Sequence, residues 1–350
     1  MENSGKNKTP FVSIIIPMYN EEKTIGKCIE ALLNQSYPSD NYEIIVVSDG
    51  CYDNSENVVR NITESEKKVE IKLVRQENQG AATARNFGVK FSQWPILLFI
   101  DADCIADYRW IEEMIKPFLR YNVAGVQGAY KTKQSKLVAQ LTQIEFEERF
   151  RKLQQREYVD FVGSFSAAYQ REIFEEFNGF NTKFVMNEDV DLAYRISSDG
   201  YKLYFNPEAI VYHMHPDSLS IYIKVKFWRG FWRTILYRNF RNKAIKDSYT
   251  PANLKIQVLL IFPIVLIALC SLTIQDLLIL DAWLIIISIA SMTGFIWSAM
   301  KKSIATGLFS IIFLWGRAFA IASGILFAIV SFFFKDDFLK FNSKKNHDAK

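Results

Sequence analysis

Two carboxylates, Asp101 and Asp103, stand one residue apart where five apolar residues, Ile96 to Ile100, run out. Carboxylates in such a cluster bind hard divalent cations such as Mg²⁺ or Mn²⁺, and those cations in turn hold phosphates. A second acidic pair, Glu188-Asp189, opens a stretch with helical spacing through Val190, Ala193, Tyr194 and Ile196. Acidic groups there suit the positive end of a helix, which also helps to keep them ionised. His213 and His215 follow a strand-like segment, Tyr201 to Tyr212, and imidazole nitrogen is a common metal ligand. Alone, Asp101-Ala102-Asp103 fits a solvated strand end followed by a turn. Its chemistry depends on what the chain brings beside it.

Those residues need a frame. Phe11 to Ile16, Glu43 to Val47, Val69 to Val74 and Ile96 to Ile100 read as short strands. Asn20 to Asn34, Asp53 to Thr63 and Ala81 to Phe91 read as helices between them. Strands alternating with helices predict crossover connections and a mainly parallel sheet, hence an α/β fold. Polar or acidic residues follow three of the strands: Tyr19-Asn20-Glu21, Asp49, and Asp101 with Asp103. All are expected along one rim, where open α/β sheets bind ligands. Further on, Lys136 to Glu157 reads as a charged helix, and Gly200 is placed to end the helix that begins near Glu188.

The 350 residues leave room for more than one domain, and 49% are hydrophobic. From about Asn253 to Phe334 the chain is almost continuously apolar. The net charge of +4 is concentrated: residues 217–255 hold nine Lys or Arg against Asp217 and Asp247, a net +7, leaving −3 elsewhere. A basic stretch beside an apolar region points to anionic lipid rather than nucleic acid. Cys28, Cys51, Cys104 and Cys270 show no CxxC spacing, which predicts reduced thiols in a cytosol-facing domain and no zinc site.

Ser218 to Phe240 interleaves aromatic and basic residues. Trp228, Phe231, Trp232 and Ile235 share one helical face and Lys226, Arg229 and Arg233 another, the pattern of a helix lying in a membrane interface. Val258 to Ile274 and Ala282 to Met300 approach the ~20 residues that cross a bilayer. Ile304 to Phe334 exceeds one span and contains Gly316-Arg317; one main span from about Ala318 is expected. The acidic loop between the first two segments and Lys301-Lys302 after the second place the N-terminal domain in the cytoplasm by the charge rule. The expected division is a polar arm, 1–10; a catalytic domain, 11–216; an interfacial segment, 217–253; about three spans in 254–334; and a basic tail, 335–350.

Taken together the motifs resemble the inverting glycosyltransferases of family 2, with their nucleotide-sugar-binding GT-A fold. In order, they are Val12 to Glu21 (VSIIIPMYNE), Ile44 to Gly50 (IIVVSDG) with Asp53-Asn54-Ser55, Asn78 to Gly88 (NQGAATARNFG), Asp101-Ala102-Asp103, Glu188-Asp189 with Leu192 and Arg195, and Val211-Tyr212-His213. The resemblance implies that Asp49 reads the nucleotide base. It implies that Pro17, Tyr19, Asn20 and Glu21 shape the nucleotide pocket and that Arg85 lies near the nucleotide or pyrophosphate. By the same resemblance, Asp103 with Asp101 holds a divalent cation, Mn²⁺ or Mg²⁺, which His213 or His215 completes. Asp189, beside Glu188, is then the general base that takes the proton of an attacking hydroxyl.

Synthases of polyprenyl-phosphate sugars share the early motifs, but their acceptor is already ionised and needs little base catalysis, so Glu188-Asp189 argues for a hydroxyl acceptor. Processive polysaccharide synthases carry Gln- or Arg-x-x-Arg-Trp, of which Lys226 to Gly230 (KFWRG) keeps only the arginine. The expected function is transfer of one sugar from a nucleotide donor, by preference a UDP-sugar, to a glycan or lipid-linked saccharide at a membrane. A reading from another class, a non-catalytic nucleotide-binding membrane scaffold, is disfavoured by the intact Asp101, Asp103 and Asp189.

Overall fold

The computed structural model describes residues 9–333. The basic tail, 335–350, and most of the N-terminal arm lie outside the described residues. The chain forms two compact units, one of residues up to Lys131 with Arg156–His213, the other of Thr132–Gln155 with Met214 onward. One helix that the sequence division places in 11–216 thus groups with the C-terminal helices.

The first unit is an α/β layer structure. Its elements begin β1 (Val12–Met18), α1 (Ile25–Leu33), β2 (Tyr42–Asp49), α2 (Ser55–Ser65), β3 (Glu70–Gln76), α3 (Ala81–Val89), β4 (Ile96–Ile100), β5 (Ile105–Ala106), α4 (Trp110–Arg120) and β6 (Gly125–Lys131). The helix α5 (Leu137–Gln154), which belongs to the second unit, interrupts the series. β7 (Ser166–Gln170), α6 (Arg171–Glu176), α7 (Glu188–Ser198) and β8 (Leu203–Tyr212) complete it. The sheet runs β3-β2-β1-β4-β7-β6-β8-β5. β1, β2, β3 and β4 are parallel; β7 runs antiparallel to both β4 and β6, so the sheet is mixed beyond its N-terminal half.

Ile14, Ile15, Ile44, Ile45, Leu97, Leu98 and Phe99 are fully buried, as strands covered on both faces require. Each such side chain contributes roughly 1.5–3 kcal/mol of hydrophobic stabilisation. Chain order reverses between β1 and β4, so their C-terminal ends open the crevice typical of doubly wound sheets. Gly88 lets α3 approach the sheet closely: a Cβ there would meet Ile15 at 2.7 Å and Val47 at 2.8 Å. Arg85, one turn earlier on the same helix face, is thereby brought to the strand ends.

The second unit contains α5, α8 (Leu219–Tyr237), α9 (Arg241–Ile245), α10 (Ala252–Ser271), α11 (Leu277–Ala290), α12 (Thr293–Met300) and α13 (Ile304–Ser331). α10 and α13 are long and apolar enough to cross a membrane; α11 and α12 would make a third span only as a pair bent by 54°. α13 is one continuous helix over Ile304–Ser331, with no break at Ala318. Gly316 and Arg317 do not break it, because Arg317 is buried with Nη2 donating to Gln257 Oε1 at 2.7 Å, and Gly316 faces Ile223.

α8 does not keep all its basic residues on one outer face. Its backbone lies against α13 at two glycines: a Cβ on Gly230 would stand 2.5 Å from Ile321 O, and one on Gly324 would overlap Phe227 O. Lys226, expected on a solvent-facing basic face, is 2% exposed and donates to Glu145 Oε1 at 2.8 Å. Arg149 donates to the same oxygen, and Tyr222 Oη to Glu145 Oε2 at 2.8 Å. Burial works against the charge on Glu145, but Lys226, Arg149 and Arg317 together hold its carboxyl well below the usual range. Amphipathic spacing cannot reveal a carboxylate 81 residues away that draws the lysine inward.

Candidate active site

The acidic corner is built by the shortest strand. Ile105 and Ala106 pair with Tyr212 and Val211, which sets the residues before β5 beside the residue after β8. Cys104 N donates to Asp101 O at 3.0 Å, turning the chain at the end of β4. His213 N donates to Lys131 O at 2.9 Å, and its ring meets Tyr130 edge-on with centroids 4.8 Å apart. His213 Nε2 lies 3.7 Å from Asp103 Oδ2, and Cys104 Sγ 3.8 Å from Asp103 Oδ1. Ligand atoms of all three residues fall within 4.8 Å of one another. A carboxylate, an imidazole and a thiol at that spacing fit a divalent cation.

Asp101 has a different partner. Its Oδ1 accepts from Arg85 Nη2 at 2.6 Å, while Arg85 Nη1 donates to Glu188 Oε1 at 2.8 Å. Arg85 is 3% exposed, with its guanidinium 5.6 Å from the Phe180 ring centroid. Burial alone would lower its pKa, but Asp101 and Glu188 hold it above the ordinary value. Glu188 is pushed up to about 7 by burial and then by Asp189, against the pull of Arg85.

Asp189 sits in the first turn of α7, after Asn187 in the left-handed region at φ 68°. Its Oδ1 accepts from Val190 N at 2.8 Å and its Oδ2 from Ser164 N at 3.2 Å. Burial, and then Asp189, push the Tyr169 phenol well above its usual pKa.

At the other end of the rim, Asp49 is 3% exposed and accepts from Gln76 Nε2, Gln79 N and Gly80 N at 2.7–2.9 Å. It therefore closes the loop between β3 and α3. A cavity of about 480 Å³ beside it is lined by Gly50, Arg75, Gln76, Glu77 and Asn78. Gly50 has φ 74°, and a Cβ there would meet Asn78 N at 2.8 Å, so this turn requires glycine. Asn20 Oδ1 accepts from Tyr52 N at 3.0 Å, and Glu21 N donates to Ser55 Oγ at 2.7 Å, tying the loops after β1 and β2 together. Pro17 lies in β1 opposite Val47. Tyr19 meets the 82% exposed Tyr52 edge-on at 6.1 Å.

The fold thus gathers most of the expected residues at the strand ends, and three placements differ from a simple cluster. Asp101 is outside the Asp103, Cys104 and His213 group because Arg85 engages it. Arg85 is a buried bridge between the Asp101 and Glu188 motifs. His215 is part of the second unit, where its ring stacks on Phe146 and its Nε2 lies 2.9 Å from Gln143 Oε1. The strand ends at Tyr212, so two-residue spacing no longer sets both histidines on one side. Sequence reasoning missed Cys104, whose signal was its place next to Asp103. Burial, and then Asp103 and Asp101, push its thiol well above the usual range.

Residues 13–177 match the family model described as Glycosyl transferase family 2. Glycosyltransferase AglE of Haloferax volcanii is 30% identical over 207 residues, 58% of this chain and 67% of that protein. The dolichyl N-acetyl-alpha-D-glucosaminyl phosphate 3-beta-D-2,3-diacetamido-2,3-dideoxy-beta-D-glucuronosyltransferase of Methanococcus voltae is 25% identical over 250 residues, 68% of this chain and 75% of that one. The mannosyltransferase PcManGT from Pyrobaculum calidifontis, solved with GDP-Man and Mn²⁺, superposes with a TM-score of 0.62 at 21% identity, over 91% of this chain and 88% of that chain. The chain belongs to glycosyl transferase family 2 and is a glycosyltransferase with a GT-A-like fold.

Proposed function

We propose that the enzyme moves one sugar from a UDP-sugar to a hydroxyl of a glycan or lipid-linked saccharide, with inversion, at the cytoplasmic face of a membrane. The observation that carries this reading is Arg85, which joins Asp101 on the diphosphate side to Glu188 on the base side through two short ion pairs. The two acidic motifs are therefore linked through one side chain, which supports a donor bound beside Asp101 with the base motif next to it. Asp189, held by two backbone donors, takes the proton of the attacking hydroxyl as the new bond forms. Arg85 keeps Glu188 beside it and Asp101 at the strand end. Asp103 and His213 would hold a divalent cation, which stabilises charge on the departing diphosphate. The loops after β1 and β2, with Tyr19 and Tyr52, offer an aromatic edge to the base, and Asp49 holds the loop beneath it.

A lipid-linked acceptor is supported by the Methanococcus voltae relative, whose name gives a dolichyl-linked sugar phosphate as its substrate, and by the apolar helices α10 and α13. The test is transfer by the full-length protein in vesicles, from a panel of nucleotide sugars with Mn²⁺, to lipid-linked and to free saccharides. Inverted product on the lipid-linked acceptor is expected. Equal transfer to a free sugar, with no gain from lipid, would remove the lipid-linked part of the proposal.

A further inference from the structure

We infer that Cys104 supplies a sulfur ligand to the cation held by Asp103 and His213, making the site selective for borderline ions such as Zn²⁺ and Co²⁺ over Mg²⁺. This rests on the metal reading above and refines it. Three observations carry it. The ligand atoms of Asp103, Cys104 and His213 lie within 4.8 Å of one another. Asp103 faces both other donors, with its Oδ2 3.7 Å from His213 Nε2 and its Oδ1 3.8 Å from Cys104 Sγ. Finally, the backbone fixes the arrangement from both sides. The β5–β8 ladder sets Cys104 against His213, and the Cys104 N to Asp101 O bond holds the turn.

A sulfur, a nitrogen and an oxygen form a donor set suited to zinc and its neighbours, whereas Mg²⁺ demands oxygen and near-ideal octahedral geometry. The Asp101 and Asp103 carboxylates on either side of this turn attract a cation. A bound cation reverses that local field and takes the sulfur as thiolate, its proton passing to water.

The test is optical titration of the full-length protein in detergent with Co²⁺, alongside Mn²⁺ binding followed by electron paramagnetic resonance. Wild type should show the near-ultraviolet band of a cobalt–thiolate bond. Cys104→Ser should lose the band while still binding Mn²⁺, and its Zn²⁺ affinity should fall by at least about tenfold, since even outer-shell partners cost that much. Cys104→Ala repeats the test should the serine hydroxyl perturb the buried site, with thermal unfolding confirming that each variant is folded. Mn²⁺ binding without a thiolate band in wild type would overturn this inference and leave the metal reading intact. A band that persists in both Cys104 variants would assign the sulfur elsewhere and overturn it equally. Absence of any bound ion, with or without UDP, would overturn both readings.

Discussion

The molecule gathers charge in two places, to opposite ends. At the strand rim, Arg85 pairs with Asp101 and Glu188 beside Asp189, while Asp103 faces His213, and the Asp101 and Asp103 side chains are about a quarter to a third exposed. In the helical unit, Lys226, Arg149 and Arg317 converge on one carboxylate, Glu145, and every member is buried. An open site with surplus negative charge can recruit a cation and a proton. A sealed cluster cannot exchange partners without disruption, so its charges specify which helices meet. Residue type therefore says little about role here; exposure and charge balance separate chemistry from architecture.

Substitution breaks the comparison most sharply at Asp189. Asp189→Asn is expected to lower transfer by about 100- to 10,000-fold, the range for a lost general base, with donor affinity by calorimetry unchanged. Near-normal turnover would strip the rim of its base. Glu145→Gln should act on the other arm. Three buried cations lose their common partner, and stability should drop by roughly 3–5 kcal/mol, read as a lower unfolding midpoint in detergent. Donor affinity per folded molecule should not change; if it does, the cluster is not purely architectural.

A subtler effect concerns pH. Glu188 holds its proton up to about 7 in the fold, but only to its ordinary 4.5 when unfolded. Between those values the native state binds more protons, so this contribution to stability is full below the lower value and is lost as pH rises through about 7. The loss is at most about 3 kcal/mol, and Glu188→Gln should flatten the slope in unfolding curves taken across that window. Smallest of all, Tyr52→Ala should raise donor KM by about fivefold through lost base stacking of ~1 kcal/mol and leave the unfolding midpoint where it was. A falling midpoint would move Tyr52 from the open rim to the scaffold.

Much of this was legible in the chain. Buried parallel strands announce themselves by continuous apolar runs, so β1, β2 and β4, and the carboxylates at their ends, were readable. Asp189 at a helix start was readable from the spacing after it. What the sequence hid were pairings between distant segments. β5 has two residues, too few for any pattern, yet it decides that Cys104 faces His213. Lys226 looked solvated because its partner lies on another helix. Gly316-Arg317 looked like a break because glycine and charge usually interrupt apolar helices; the contacts that make them acceptable come from α8 and α10.

Those contacts also fix how α13 is turned about its own axis. Arg317 meets Glu145 and Gln257, and seven residues later Gly324 receives the backbone of α8. Seven residues bring an α-helix round to within about 20° of the same direction. The helix is therefore keyed twice along nearly one line, once by charge and once by the space a missing side chain leaves. One residue inserted between the keys would rotate one of them by about 100° relative to the other, and no rigid turn of the helix could seat both.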